Sequence, residues 1–365
     1  MRNMEILEIN EQAATISGCI RFDKGSAKFP FPEAFLPVID EVKKDITGKY
    51  FGYPAIGGER ALKEQIANFE RKSGRDVSAD DIVVTHGGMS GIFTVLGIAT
   101  QPGDEVITNE YFFEGFSVAF DYFKLSHKKV NLLDAHALKN AITKNTRVIV
   151  INSPENPTGK VYTLEEINVI AAIAKKHDIF LLSDEVTNKI IYGDTRWVAS
   201  PLEQGKVVAI NSFSKNWFIP GIRVGWNISK NHEINMQMAR FLSAQSVGVN
   251  SFGQLLMAKA LATIDYPVFM KPYMKILSSR REVLKRALDE KGIGYLQNAQ
   301  GGMNFYVDVK GDSRKAASRL LNEFGIAVIP GDLFEGSPSR YIRVGFGAVN
   351  EREIDRGISG ISRVI

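Results

Sequence analysis

The sequence predicts an α/β fold in which a mostly parallel sheet is flanked by helices and accompanied by a smaller α+β domain. The first observation behind this prediction is that short apolar, β-branched runs alternate with helix-like stretches through the middle of the 365-residue chain. Unbroken apolar runs are typical of strands buried on both faces, and helices between them favour parallel pairing. The second observation is that the last hundred residues differ, with a long charged helix pattern followed by strand-like segments.

The predicted elements follow the chain in order. Strands are expected at 82–85, 105–108, 148–152, 179–184 and 207–211. A helix is expected over 164–176, because Thr163 can cap its N-terminus with Glu166 as capping-box partner. A helix over roughly 272–291 then precedes strands at 303–309 and 341–346. We therefore predict a large domain at 46–265 and a small domain formed by 1–45 and 266–365.

Composition and charge exclude several classes of protein. The chain carries 45 Lys+Arg against 41 Asp+Glu, a net charge of +4 without a long run of like charge, so neither a nucleic-acid nor a membrane partner is expected. One cysteine, Cys19, excludes an intramolecular disulfide and a cysteine-based zinc site, and five histidines without H-x-x-x-H spacing disfavour a metal enzyme. The charged start and the lack of an 18-residue apolar run lead us to expect a cytoplasmic protein.

The segment 211–226 carries the strongest chemical signal in the sequence. Lys215 directly follows a buried strand, in a serine-rich loop, eight residues before Arg223. A lysine so placed can hold a carbonyl cofactor as a Schiff base, while Ser212 and Arg223 bind the cofactor's phosphate. Alone, Lys215 would be interpreted as an ordinary loop lysine, so the prediction depends on its neighbours.

Two further polar residues follow buried strands. Asn156 lies in an Asn-Pro-Thr-Gly sequence with Pro154 just before it, and the prolines restrict the backbone there. Asp184 closes the next apolar strand. A carboxylate at the mouth of a buried strand needs a cationic or hydrogen-bonding partner, such as a protonated ring nitrogen. Taken singly, Asn156 also fits a simple turn and Asp184 a helix N-cap.

Taken together, these segments resemble the fold-type I pyridoxal-phosphate enzymes, specifically the class I/II aminotransferase family. The resemblance covers about 53–343 and implies a seven-stranded, mostly parallel sheet with a smaller α+β domain. It implies that Lys215 forms the Schiff base with pyridoxal 5'-phosphate and moves the substrate's proton. It further implies that Asp184 pairs with the pyridinium nitrogen and that Asn156 donates a hydrogen bond to the phenolic oxygen.

The glycine-rich stretch 85–91 is a candidate for phosphate binding. It follows a strand and opens an apolar helix, where free backbone N–H groups and the helix dipole favour an anion. Its glycine spacing does not match a dinucleotide fingerprint. The resemblance implies that Gly88 and Met89 offer N–H groups to the phosphate, with Ser212 and Arg223 completing the site.

Two positions are implied for the cofactor ring and for the substrate. Phe112 best matches the family position whose aromatic ring stacks on the cofactor, and Tyr111 is the next candidate. Arg343 matches the position that binds the substrate's α-carboxylate, because a planar guanidinium offers two parallel hydrogen bonds. Arg340 is its rival, and a structural salt bridge is the alternative role.

Two other positions concern the partner subunit and a departure from the family pattern. Tyr53 matches a tyrosine that crosses from a neighbouring subunit to the phosphate, which implies a homodimer with shared active sites. Thr187 stands where the family usually has a tyrosine that donates to the phenolic oxygen. This loss should raise the pKa of the Schiff base or hand the role to another donor such as Tyr192.

The sequence therefore predicts a pyridoxal-phosphate-dependent aminotransferase that moves an amino group between an α-amino acid and a keto acid, its small-molecule partners. A decarboxylase, β-lyase or synthase of the same fold is the alternative, because the bond that breaks depends on side chains that the sequence does not place. A non-catalytic regulatory domain that binds the cofactor is disfavoured, since only about 50 residues precede Tyr53, too few for a DNA-binding domain plus the small-domain segment.

Overall fold

The computed structural model describes residues 2–46, 50, 52–296, 299–335 and 339–365. Its helices are α1 (Arg2–Thr15), α2 (Phe35–Asp45), α3 (Arg60–Arg71), α4 (Gly88–Ala99), α5 (Gly115–Tyr122), α6 (Ala135–Ala141), α7 (Leu164–Lys176), α8 (Phe213–Asn216), α9 (His232–Ser246), α10 (Ser251–Thr263), α11 (Tyr266–Glu290), α12 (Ser313–Phe324), α13 (Asp332–Glu335) and α14 (Glu351–Ile361). Within the described ranges, no helix is both long and apolar enough to cross a membrane.

The strands are β1 (Ile20–Arg21), β2 (Ile82–Thr85), β3 (Glu105–Thr108), β4 (Ser126–Lys129), β5 (Thr146–Asn152), β6 (Phe180–Asp184), β7 (Val207–Ser212), β8 (Gly225–Ile228), β9 (Asn304–Asp308), β10 (Ile326–Ala327), β11 (Ile329–Pro330) and β12 (Tyr341–Gly345). Seven of them form one sheet in the order β2-β8-β7-β6-β5-β3-β4. Strand β8 is antiparallel to both neighbours, and the other pairs are parallel. The predicted seven-stranded, mostly parallel sheet is confirmed.

Both faces of this sheet are buried. Successive side chains of a strand point to opposite faces, so Ile149 on β5 packs in one apolar cluster and Val150 in another. Leu181 and Leu182 on β6 divide in the same way. Helices α3, α7 and α10 cover one face, and α4, α5 and α9 cover the other. This double cover explains why the strands read as unbroken apolar runs.

Helix ends follow the sequence signals in one case and depart from them in another. At α7, the Thr163 hydroxyl accepts the Glu166 N–H at 3.2 Å, and the Glu166 carboxylate accepts the Thr163 N–H at 2.8 Å, which confirms the predicted capping box. Helix α11 begins six residues earlier than predicted. The Asp265 carboxylate caps its first turn at Val268 N–H (3.1 Å), and Pro272 lies inside the helix.

The rest of the described chain forms a second unit. Strands β11, β12 and β9 make an antiparallel sheet, and β1 pairs with β10. Its apolar core includes Leu284 of α11 and Ile354 of α14. Phe35 and Val38 of α2 pack instead in the core beside the central sheet. Residues 1–45 therefore contribute to both cores, and the exact domain division at 46 and 266 stays a prediction.

Candidate active site

A cavity of about 370 Å³ lies where the central sheet meets the second unit. The carboxyl ends of the parallel strands β5, β6 and β7 bring Asn152, Asp184 and Ser212 to it, as expected for ligand sites in such sheets. Eight predicted residues line it: Gly88, Met89, Asn156, Asp184, Ser212, Lys215, Arg223 and Arg343. A larger apolar groove between α2, α10 and α11 contains none of them.

Lys215 projects from the short helix α8, directly after β7. Its Nζ donates a hydrogen bond to the carbonyl oxygen of Gly25 at 3.0 Å. Burial lowers the pKa of Lys215 to about 8, and the positive charge of Arg343 acts in the same direction. Lys215 therefore offers an amine that gives up its proton far more easily than a surface lysine does.

Asp184 is the last residue of β6 and is buried. One carboxylate oxygen accepts the backbone N–H of Val186 at 3.2 Å. Burial raises the pKa of Asp184 to about 7, and the nearby Glu185 carboxylate adds to the rise. A carboxylate in this state gains much from a cationic partner in the cavity.

Arg343 lies on β12 and reaches the cavity from the second unit. It donates one hydrogen bond to the Asp23 carbonyl oxygen at 2.7 Å and a longer one to Asn156 Oδ1 at 3.4 Å, while its buried Nε has no partner. Burial lowers the pKa of Arg343. Its rival Arg340 lies outside the cavity lining, where Nε bonds Asp308 at 2.8 Å.

The start of α4 and Arg223 form one corner of the cavity. Gly87 precedes the helix with φ +81°, a left-handed value that favours glycine. Arg223 donates to the His86 carbonyl oxygen at 3.2 Å, and a Cβ atom on Gly87 would lie 2.8 Å from Arg223 Nη2. The guanidinium and the first N–H groups of the helix thus point to one anion-binding corner.

The structure corrects the prediction for the aromatic ring. Phe112 is buried in the core, edge-on to His127 at 4.7 Å between ring centroids, and does not line the cavity. Tyr111, the second candidate, packs on Tyr306 at 5.7 Å. Phe113 lines the cavity instead. The loop before α5 has no strand or helix period, so sequence reasoning could not tell which of three adjacent rings turns inward.

Three other residues from the sequence prediction, Tyr53, Thr187 and Tyr192, differ in whether they line the cavity. Tyr53 is 87% exposed and lies outside the cavity lining of this chain. Thr187 lines the cavity, and its hydroxyl lies 3.5 Å from the Pro154 carbonyl oxygen. Tyr192 does not line it, because its hydroxyl donates to the Gly302 carbonyl oxygen at 2.9 Å. Tyr192 is therefore not placed to replace the missing family tyrosine.

Sequence reasoning missed two kinds of lining residue. Asp23 and Gly25 supply the carbonyl oxygens that bind Arg343 and Lys215, and backbone acceptors leave no mark in a sequence. Glu114 lines the cavity and is 6% exposed. The sequence does contain a pattern that could have identified Glu114, because this carboxylate lies within an aromatic loop that follows a predicted strand.

A comparison of the whole chain with known families decides its membership. The model of the family described as aminotransferase class I and II matches residues 18–361. The chain belongs to this family. The predicted aminotransferase enzyme of fold type I is thereby confirmed, and the lysine segment that carried the prediction lies within the matched range.

Curated relatives of this aminotransferase extend over nearly its full length. The aspartate aminotransferase of Thermotoga maritima is 28% identical over 91% of this chain and 88% of that protein. The aspartate/prephenate aminotransferase of Thermus thermophilus is 25% identical over 100% of this chain and 94% of that protein. The relatives' names thus agree on the reaction and differ in the substrates.

Solved structures agree with the fold. The structure of Thermus thermophilus aspartate aminotransferase with maleate has a TM-score of 0.88 at 24% identity, covering 100% of this chain and 95% of that chain. The N-succinyldiaminopimelate aminotransferase of Mycobacterium tuberculosis has a TM-score of 0.88 at 25% identity, covering 99% and 97%. The predicted α/β architecture with a smaller α+β unit is that of known aminotransferases.

Proposed function

We propose that this aminotransferase binds pyridoxal 5'-phosphate in the cavity and moves an amino group between an α-amino acid and a keto acid. The observation that carries the proposal is that a buried lysine with a lowered pKa, Lys215, shares one cavity with a buried carboxyl of raised pKa, Asp184. When bound, the cofactor supplies an aldehyde for the amino group and a ring that withdraws electrons from the substrate's Cα.

The residues present fit this cofactor. A protonated ring nitrogen would give Asp184 the cation that its buried carboxylate lacks. Gly87 leaves room beside Arg223 that a side chain would fill, and a phosphate there would meet Arg223, Ser212 and the N–H groups of Gly88 and Met89. Asn156 and Phe113 line the same cavity. In this proposal Asn156 donates a hydrogen bond to the phenolic oxygen, and the ring of Phe113 stacks on the cofactor.

Lys215 would carry the proton. An amine with a pKa of about 8 is partly neutral near neutral pH, so its Nζ atom can accept the proton from the substrate's Cα and hold it for return. In the structure the same amine donates a hydrogen bond to the Gly25 carbonyl oxygen at 3.0 Å. Arg343 would hold the α-carboxylate, since its long bond to Asn156 and its unpartnered Nε leave donors for the substrate.

The assembly forms part of the proposal. We propose a cytoplasmic homodimer in which Tyr53 of the partner subunit contacts the cofactor phosphate. The support is that Tyr53 is 87% exposed and lies outside the cavity of its own chain. In this proposal, 1–45 and 266–365 form the small domain that closes over the substrate, and they carry Asp23, Gly25 and Arg343 to the cavity.

Replacement of Lys215 tests the proposal. Lys215→Ala should abolish both turnover and the absorbance band of the Schiff base between lysine and cofactor. Lys24, the other amine among the described lining residues, is held by the Asn10 side chain. Lys144→Ala, which changes an exposed lysine, is the matched control and should retain both. Full activity of Lys215→Ala would overturn the proposal.

Product analysis tests the reaction type. The unaltered holoenzyme, mixed with single amino acids, should release the matching keto acid and retain the amino group on the cofactor. Release of carbon dioxide, ammonia or a thiol instead would favour a decarboxylase, lyase or synthase of the same fold and contradict transamination.

A further inference from the structure

Glu114 is a buried carboxylate that the proposed reaction does not use. It lies just before α5, lines the same cavity as Lys215 and Arg343, and is 6% exposed. Its Oε2 atom is buried and has no hydrogen-bond partner. The carboxyl also accepts a hydrogen bond from its own backbone N–H, so one of its two oxygens is left without a partner. A buried oxygen without a partner is costly, and a cationic ligand in the cavity would supply the missing donor.

The other carboxylates that line the described part of the cavity are already engaged. Asp23 is bound by Arg21 through two hydrogen bonds of 2.8 and 2.7 Å. Glu155 accepts hydrogen bonds from Asn109, Thr158 and Tyr162. Asp184 is assigned to the cofactor ring. Glu114 is therefore the lining carboxylate that remains for the substrate.

The nearby cations do not serve as fixed partners of Glu114. Arg343 and Lys215 are close enough to lower its pKa against the larger rise caused by burial, but their hydrogen bonds go to Asp23, Asn156 and Gly25. Once Arg343 holds an α-carboxylate, its charge is neutralised and Glu114 is left with less compensation. A positive group on the substrate's side chain would restore the balance.

The described lining residues of this chain also offer no spare cation for a second substrate carboxylate. Among its described lining residues, Arg223 and Arg343 are assigned to the phosphate and the α-carboxylate, and Lys215 to the proton. Lys24 is held by the Asn10 side chain and lies 3.8 Å from the Asp23 carboxylate. A dicarboxylic amino acid would thus place its side-chain charge among acidic neighbours.

We propose that Glu114 is a specificity-determining residue that binds the side chain of an α-amino acid ending in an ammonium or guanidinium group. The proposal rests on the proposed function, since it takes the amino and carboxylate ends of the substrate as already placed. Ile6 and Phe113 line the same cavity and α1 packs against α5, so apolar groups accompany Glu114 and suit the aliphatic stem of such a side chain.

Half-reaction kinetics of the holoenzyme test the proposal. L-ornithine, L-lysine and L-arginine should convert the bound cofactor with kcat/KM at least about tenfold above L-leucine, L-aspartate and L-glutamate. Glu114→Gln should lower kcat/KM for the preferred cationic amino acid by about ten- to a hundredfold, the loss of a hydrogen bond between charged groups. For L-leucine it should stay within about threefold, because L-leucine has no group for Glu114 to bind.

The Kd of an unreactive substrate analogue tests the same proposal without turnover. 2-Methylornithine has no α-proton to lose, so its Kd reports binding alone. Glu114→Gln should raise the Kd of 2-methylornithine by about ten- to a hundredfold and change the Kd of 2-methylleucine by less than about threefold. Glu110→Gln is the matched control, because it makes the same change at an exposed site in the same loop. Glu110→Gln should leave the Kd of both ligands unchanged. If Glu114→Gln does not fold, the kcat/KM values of the wild-type enzyme for the six amino acids still test whether cationic side chains are preferred.

Failure of this inference is distinguishable from failure of the proposed function. Conversion of L-leucine or L-aspartate as fast as the cationic amino acids would overturn the role of Glu114 and leave transamination intact. An equal loss for every amino acid in Glu114→Gln would assign the residue to charge balance of Arg343 and overturn the inference. Conversion of no amino acid at all would overturn the proposed function itself.

Discussion

Asp184 and Lys215 show how burial prepares single residues for chemistry at the expense of stability. Burial removes water from both side chains and disfavours both charged forms, so the pKa of Asp184 rises to about 7 and that of Lys215 falls to about 8. In the unfolded chain each group regains its ordinary pKa. The cofactor-free fold is therefore destabilised by the residues that its proposed reaction needs.

Removing the Asp184 charge should stabilise the cofactor-free enzyme in a pH-dependent way. The folded pKa of Asp184 is raised to about 7, so between about pH 4 and pH 7 the folded state binds more protons and stability falls as pH rises. Asp184→Asn should thus raise the free energy of unfolding by up to about 4 kcal/mol at pH 8, and by less at pH 5. Urea unfolding at the two pH values measures this difference.

Its control is Asp355→Asn, which changes an exposed aspartate and should have little effect at either pH. The same Asp184→Asn change should weaken cofactor binding by about ten- to a hundredfold. An equal gain in stability at pH 5 and pH 8 would contradict the role of the buried charge.

At this scale, sequence reasoning located residues that follow strands. Asp184, Ser212 and Lys215 could be predicted to meet in space because parallel strands end at one edge of a sheet, and they line one cavity. Phe113 could not be distinguished from Tyr111 and Phe112, because neither strand nor helix periodicity fixes which side chain of a loop turns inward. The backbone acceptors Asp23 and Gly25 were also beyond sequence reasoning.

The turn into α4 is the element on which the anion corner depends. Gly87 holds φ +81°, and the space where a Cβ would stand is next to the guanidinium of Arg223. Helix and arginine come from distant parts of the sequence and meet because β2 and β7 are both paired with β8. A small change in this turn should therefore affect cofactor binding as well as stability.

Substitution of two glycines separates the two effects. Gly87 and Gly74 have φ +81° and +86°, but nothing lies within 4 Å of a Cβ on Gly74, whereas one on Gly87 would lie 2.8 Å from Arg223 Nη2. Gly87→Ala and Gly74→Ala should each cost about 1–2 kcal/mol of stability through the left-handed backbone. Only Gly87→Ala should also weaken cofactor binding, by about tenfold or more. Equal binding by the two variants would show that Arg223 does not depend on this space.

Element prediction succeeded where packing and periodicity agree. The five strands predicted between 82 and 211 match β2, β3, β5, β6 and β7 within two residues at each end, because each is apolar on both faces. Strand β4 has the sequence Ser-His-Lys-Lys and escaped prediction, since a sheet edge tolerates polar residues. The early start of α11 was missed because Pro272 reads as a helix start, while Asp265 is the actual cap.

The proposed sharing of active sites between two subunits concerns the whole molecule, because one chain cannot display it by itself. Tyr53 is 87% exposed, an unusual position for a residue expected to bind a cofactor. Pairing two chains would remove that exposure and complete two cavities at once. If so, function requires both chains even though each supplies its own Lys215.

Mixed dimers test this arrangement. Lys215→Ala and Tyr53→Ala chains should each give weak or absent activity alone, and co-expression should restore activity because one of the two sites in the mixed dimer receives an intact Lys215 and an intact Tyr53. The measurement is the specific activity of the purified mixed dimer against each parent. No restoration would indicate that Tyr53 acts within its own chain or not at all.

The hydrogen bonds from Arg343 to Asp23 and from Lys215 to Gly25 have a consequence for how tightly any ligand can bind. Both bonds end on backbone carbonyl oxygens of one short N-terminal segment. A substrate that binds Arg343 and Lys215 therefore replaces acceptors that are already present. Binding is then an exchange reaction, in which the measured affinity is the difference between two sets of hydrogen bonds. Any substitution that shifts this segment will change the apparent affinity for all substrates together.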